Sequence, residues 1–93
     1  MSIVVEYRVA KGKTELARRT VVIDGASIVD AHDGGADGEP DVTFTLTPDV
    51  ADDVRSGRLD VGAGFMRGSV KMSGDFGAVL QVLPVLHRDR GWS

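Results

Sequence analysis

The chain has 93 residues, 42% of them hydrophobic and 27% charged, with a net charge of -3 and no cysteine. That length makes one small domain, 1–93, whose stability rests on its core and on any self-association, with no disulfide to assist. The acidic balance and the lack of a basic patch argue against a nucleic-acid partner, and no apolar run is long enough to cross a bilayer.

In chain order, Ser2 to Val9 alternates: Ile3, Val5, Tyr7 and Val9 face one way, Val4, Glu6 and Arg8 the other. This predicts a strand beginning almost at the first residue. The start MSIVVEYRV lacks the charged-then-apolar layout of a signal peptide, and the missing cysteines fit a reducing compartment, so the expected location is cytoplasmic. Lys11-Gly12-Lys13 is a turn, and a second strand runs from about Leu16 to Ile23. Asp24-Gly25 is a hairpin signal, with a return strand over Ala26 to His32. Asp33 to Pro40 reads as a Gly/Asp hairpin loop.

Val42, Phe44 and Leu46 alternate with Thr43, Thr45 and Thr47, which predicts a fourth, half-buried strand. Thr47, Pro48 and Asp49 then suit a helix start, Val50 and Val54 share a face, and Gly57 is a stop. Asp60 to Arg67 reads as a short irregular piece, and Gly68 to Ser73 as a fifth strand with Val70 and Met72 on one face. Gly74-Asp75 opens a last helix carrying Phe76, Val79, Leu80 and Leu83 at helical spacing, which Pro84 should kink or end. The polar tail HRDRGWS holds one aromatic, Trp92, that could dock on the body. Strands followed by helices predict an α+β domain with a mainly antiparallel sheet and helices on one face.

The stretch Asp41 to Leu83 resembles the C-terminal half of the sterol carrier protein type-two domain. The resemblance rests on DVTFTLT as a fourth strand and on PDVADDVRSGRL as a helix ending in Ser-Gly-Arg-Leu. It rests also on DVGAGFMRGSVKMSGDFGAVLQVL, where a Gly-x-x-x-x-x-Gly frame around a strand leads into the closing helix. It extends more loosely to the N-terminus. The resemblance implies a five-stranded sheet and a tunnel for an apolar ligand, bordered by the last helix and the fourth and fifth strands. Family members usually begin with helices that help cover the sheet, and no such helix precedes the first strand here. An uncovered apolar sheet face would be costly, roughly 1.5–3 kcal/mol per large side chain left wet. The expectation is therefore a homodimer, or another partner covering that face.

The apolar set is Phe44, Leu46, Phe65, Met66, Val70, Met72, Phe76, Val79, Leu80 and Leu83. For each, core packing competes with a ligand-lining role, since a small domain needs most of its large apolar side chains for stability. Phe65, Met66, Met72 and Phe76 are the stronger pocket candidates, methionine being flexible enough to fit varied apolar shapes. Among the arginines, Arg67 follows Phe65-Met66 and is placed to orient a ligand's polar end. The candidate ligand-binding set is thus Phe44, Phe65, Met66, Arg67, Met72, Phe76, Val79, Leu80 and Leu83.

No catalytic constellation or metal site stands beside it. Asp30, Asp33, Asp37, Glu39 and Asp41 cluster near His32, but an EF-hand frame from Asp30 puts Gly34 and Gly38 at ligand positions, so a solvated loop is the reading. His32 and His87 lie in no nucleophile motif. Gly62, Gly64, Gly68 and Gly74 fit no phosphate loop. The expected function is binding or carrying of a lipid, fatty acyl or steroid-like molecule, with no covalent chemistry and no cofactor. The alternatives are a small cavity enzyme acting on an apolar biosynthetic intermediate, or a partner-binding subunit.

Overall fold

The alternating first residues form a strand at the centre of a sheet. A computed structural model describes residues 2–89; Trp92, read above as a possible docking aromatic, lies outside them. The elements are β1 (Ser2–Lys11), β2 (Thr14–Asp24), β3 (Ser27–Asp33), β4 (Val42–Leu46), α1 (Pro48–Ser56), α2 (Val61–Met66), β5 (Lys71–Gly74) and α3 (Phe76–Arg88). The five strands lie in the order β3-β2-β1-β4-β5. β1 and β4 run parallel, with Val5 opposite Val42 and Val9 opposite Leu46, and every other pair is antiparallel.

Period-two alternation decides which side chains meet the helices. Val5, Tyr7 and Val9 of β1, Val21 and Ile23 of β2, and Val42, Phe44 and Leu46 of β4 are buried in one core with Ala51 and Val54 of α1, Val61 of α2, and Val79, Val82, Val85 and Leu86 of α3. Tyr7 sits opposite Phe44 across the parallel pair, and their rings stack with centroids 5.7 Å apart. The apolar sheet face is thus covered by the chain's own helices. That removes the uncovered face on which the expectation of a dimer was built.

The opposite face is polar, and the connection from β3 to β4 crosses it. Because β3 and β4 are separated by β2 and β1, residues 34–41 form a crossover and not the hairpin loop expected from their composition. Gly34 N–H donates to the Arg18 carbonyl at 2.9 Å, the Thr20 hydroxyl donates to the Gly34 carbonyl at 2.8 Å, and Asp41 N–H donates to the Val4 carbonyl at 2.9 Å. Under this strap lies the buried carboxylate of Glu6. It accepts from Arg8 Nε at 2.6 Å and from Ala36 N–H at 3.3 Å, and Arg18 stands 3.6 Å away. Burial pushes the Glu6 carboxyl upward, but the Arg8 and Ala36 hydrogen bonds and the two guanidinium charges outweigh it, leaving its pKa below the ordinary 4.5. The loop's other acids disperse: Asp33 pairs with Arg19, Asp30 with His32, and Asp41 accepts from Val4 N–H.

Two further expectations are corrected. Asp60 to Arg67 holds a helix, α2, in place of an irregular piece. The Asp60 side chain caps it by accepting from Ala63 N–H at 3.1 Å. Pro84 neither ends nor delimits α3, which runs on to Arg88. Its ring faces solvent while Val85 and Leu86 beyond it are buried, so packing of the last turn outweighs the hydrogen bond a proline cannot make to the Leu80 carbonyl. Among the described residues, no helix is long and apolar enough to cross a membrane.

Candidate functional site

Helix α3 is apolar over most of its circumference, and this sets up the site. Asp75 caps it, its Oδ1 accepting from Gly77 N–H at 2.9 Å and Ala78 N–H at 3.4 Å. Ala78, Val79, Val82, Val85 and Leu86 form the buried stripe. Phe76, Leu80 and Leu83 follow at i, i+4 and i+7 on a second stripe beside it. Phe76 is 55% exposed and Leu80 is 60% exposed, while Leu83 is half-buried against the core.

Helix α2 lies alongside that second stripe. A methyl added at Gly62 would sit 3.5 Å from Leu83 Cδ2, and His87 Nδ1 lies 3.1 Å from Asp60 Oδ1. The two helices therefore run antiparallel, with the start of α2 against the end of α3. One helical turn beyond Gly62, α2 ends at Met66. Met66 is 87% exposed, and Phe65 is half-buried on the core. Gly64 lets α2 seat closely: a Cβ there would fall 2.7 Å from Val70 Cγ2 and 3.2 Å from Leu59 Cδ2. On the sheet side, Met72 of β5 is half-buried beside its cross-strand partner Phe44.

The candidate residues are thus divided among three environments. Phe44 and Val79 are fully buried core residues. Phe65, Met72 and Leu83, from α2, β5 and α3, are half-buried on the margin of that core. Met66, Phe76 and Leu80 stand outside it, exposed. Arg67 is the exposed C-cap of α2, its backbone N–H donating to the Ala63 carbonyl at 3.0 Å. β5, α2 and α3 together bring one apolar margin to the surface.

Two open clefts lie elsewhere on the surface, and none of Phe65, Met66, Met72, Phe76, Leu80 and Leu83 lines them. The larger, about 450 Å³, lies where β1 and β4 end and α1 begins. Leu46 and Val50 give it an apolar floor, and Thr47, Ser69 and Lys71 give it polar walls. Another, about 320 Å³, lies between the β2–β3 turn and the end of α3, lined by Ile28, Val85 and Arg88. Of these residues, sequence reasoning had weighed only Leu46 for a ligand-lining role and had placed none in the candidate ligand-binding set. Lys71 and Ser69 stand close to Arg67 in the chain, but without the fold no signal brought Thr47 and Val50 to them.

The architecture defines the class of protein: an α+β domain with the fold of the sterol carriers. A palmitated sterol-carrier-like protein, SCP2L2 of Aedes aegypti, superposes on 90% of this chain and 71% of its own at a TM-score of 0.66, with 21% identity. Sterol carrier protein domain 2 of Helicoverpa armigera covers 95% of this chain and 68% of its own at 0.58, with 26% identity. The sec-alkylsulfatase Pisa1 of a Pseudomonas species carries the same fold in 13% of its length, covering 90% of this chain at a TM-score of 0.58 and 18% identity. A search of curated proteins finds no match. The sequence profile of the SCP-2 sterol transfer family matches residues 3–87, and the chain belongs to that family.

Proposed function

We propose that the protein binds and carries an apolar small molecule of the lipid, fatty acyl or steroid-like class, without covalent chemistry. The observation that carries this reading is the apolar margin. Six large apolar side chains from three successive elements, Phe65, Met66, Met72, Phe76, Leu80 and Leu83, stand exposed or half-buried where an ordinary domain surface would be polar. A ligand lying between α2 and the N-terminal half of α3 would rest on Phe65, Met72 and Leu83, with Phe44 and Val79 beneath. Met66, Phe76 and Leu80 would close over its sides, and Arg67 would meet its polar end. The family's description as sterol transfer and the palmitated state of the Aedes relative support an apolar ligand of this kind. The half-buried position of Met72 suits ligands of varied outline.

Displacement of a fluorescent fatty acid in solution tests the reading. Competition by sterols, fatty acids or acyl esters is the expected result. A folded sample that neither takes up the probe nor loses it to any lipid class overturns the proposal.

A further inference from the structure

We propose that the cleft where β1 and β4 end is a second binding site, apart from the apolar margin, for a compact amphipathic anion: an aromatic or alicyclic carboxylate. This goes beyond the carrier reading and does not depend on it.

The topology opens the cleft. β1 and β4 run parallel, so both bring their carboxyl ends to the same end of the sheet. From there β1 turns aside into β2, whereas β4 leads into α1 and, through α2, to β5 on the other side. The chain leaves the two strand ends in opposite directions, and a crevice of about 450 Å³ stands between the departing segments. Gly12 of the β1–β2 turn bounds it on one side and Gly68, before β5, on the other. Its floor is Leu46, only 1% exposed, with Val50 of α1 beside it. A buried side chain closes the bottom, so a ligand lies on this floor and does not thread into the core. A flat ring is accommodated there, whereas a long chain would run out into water.

Charge selects the ligand's other end. The chain has three lysines, Lys11, Lys13 and Lys71, and all three come to this cleft. Lys71 lines it, set opposite Thr45 by the β4–β5 register, and Lys11 and Lys13 flank the lining Gly12. None of the three makes an ion pair among the described residues. Across the lining residues and their immediate chain neighbours, Lys11, Lys13, Arg67 and Lys71 stand against a single acid, Asp49, a balance of +3 in a chain of -3. The next acids along the chain are engaged: Glu15 with Arg18 at 2.7 Å, and Asp52 with Arg55. Ammonium groups gathered around an apolar floor repel one another and attract a carboxylate, whose ring then shields Leu46 and Val50 from water. The hydroxyls of Thr47 and Ser69 supply further donors at the walls.

Titration of isotope-labelled protein with 2-naphthoate at low salt, followed through the backbone amide resonances, tests this. The expected result is saturable shifts at Gly12, Gly68, Ser69 and Lys71 and an affinity that falls on adding salt. Affinity should also drop about tenfold for the neutral analogue 2-naphthalenemethanol and for Lys71→Glu. Lys13→Glu, in the exposed β1–β2 turn, should weaken binding in the same direction and serves if Lys71→Glu disturbs β5. Absence of saturable shifts at those four amides overturns the proposal. So does equal binding of the neutral analogue, or equal binding of 2-naphthoate by both charge variants. Saturable shifts confined to Met66, Phe76 and Leu80 also overturn it, because they would put the anion on the α2–α3 margin.

Discussion

Glu6 and Arg8, two residues apart on β1, form a 2.6 Å charge-assisted hydrogen bond on the face of the sheet away from the helices. The Glu6 side chain is only 2% exposed there. With Arg18 and the Ala36 amide it ties the crossover strap to the centre of the sheet. Because the folded-state pKa is depressed, the stabilisation is fully present above the ordinary glutamate value of 4.5 and is lost as the pH falls through the lower folded value. Glu6→Gln should lower stability at neutral pH by about 1–3 kcal/mol. It should also flatten the acid limb of a plot of urea midpoint against pH. An unchanged limb would show that other carboxylates set the acid sensitivity.

Gly74 closes β5 at φ 111°, and a Cβ there would come within 2.3 Å of the Asp41 carbonyl oxygen. That oxygen accepts from Asp75 N–H, and the clash is with backbone, so it cannot be relieved by turning a side chain. Gly74→Ala should cost more than about 2 kcal/mol. Gly12, at φ 62° in the β1–β2 turn with nothing within 4 Å, is the control, and Gly12→Ala should cost about 1 kcal/mol. Thermal melts of the two variants would settle it; equal losses would contradict the difference.

Val79 and Leu80 are neighbours with opposite duties. Val79 is 0% exposed and Leu80 is 60% exposed. Val79→Ala should destabilise the fold by about 1–3 kcal/mol through the cavity it leaves. Leu80→Ser should change stability by no more than about 0.5 kcal/mol while weakening uptake of a fluorescent fatty acid. If Leu80→Ser unfolds the protein, or binds the probe as well as wild type, Leu80 has been misassigned.

Pro84 lies inside α3 with its ring exposed. Replacing it with alanine restores a donor for the Leu80 carbonyl and removes the ring from the helix interior. Pro84→Ala should therefore stabilise the protein by about 1–3 kcal/mol, read as a higher Tm. A lower Tm would mean that the ring's packing matters more than the missing hydrogen bond.

The contrast between Pro84 and the strands shows what the sequence could express. Alternation in β1 and β4 is a statement about burial, so it could be read directly, and the Thr47-Pro48 start of α1 states its own chemistry. Helix α2 was not legible, because Val-Gly-Ala-Gly-Phe-Met has low helical propensity and holds its shape through the Asp60 cap and the seat on Val70 and Leu59. The cap itself was the available signal. The crossover was hidden for a different reason. A Gly/Asp-rich segment looks the same whether it joins neighbouring strands or straps across a sheet, and only the pairing of β1 with β4 distinguishes the two. At the candidate site, helical spacing put Phe76, Val79, Leu80 and Leu83 on one helix. It could not tell which side of that helix the sheet would take, so Val79 fell to the core and Leu80 to the surface.

The central place of β1 has a consequence for biosynthesis. Made first of the five strands, β1 gains its second neighbour only when Val42–Leu46 has been made, and the sheet's apolar face is roofed only as α1 and then α3 follow. Until then the β1–β2–β3 meander presents Val5, Tyr7, Val21 and Ile23 bare and one long edge of β1 unpaired. At translation speeds of about 5–20 residues per second that nascent sheet is exposed for seconds. Chaperone dependence should therefore be greatest on the ribosome and fall once the C-terminal helix has emerged.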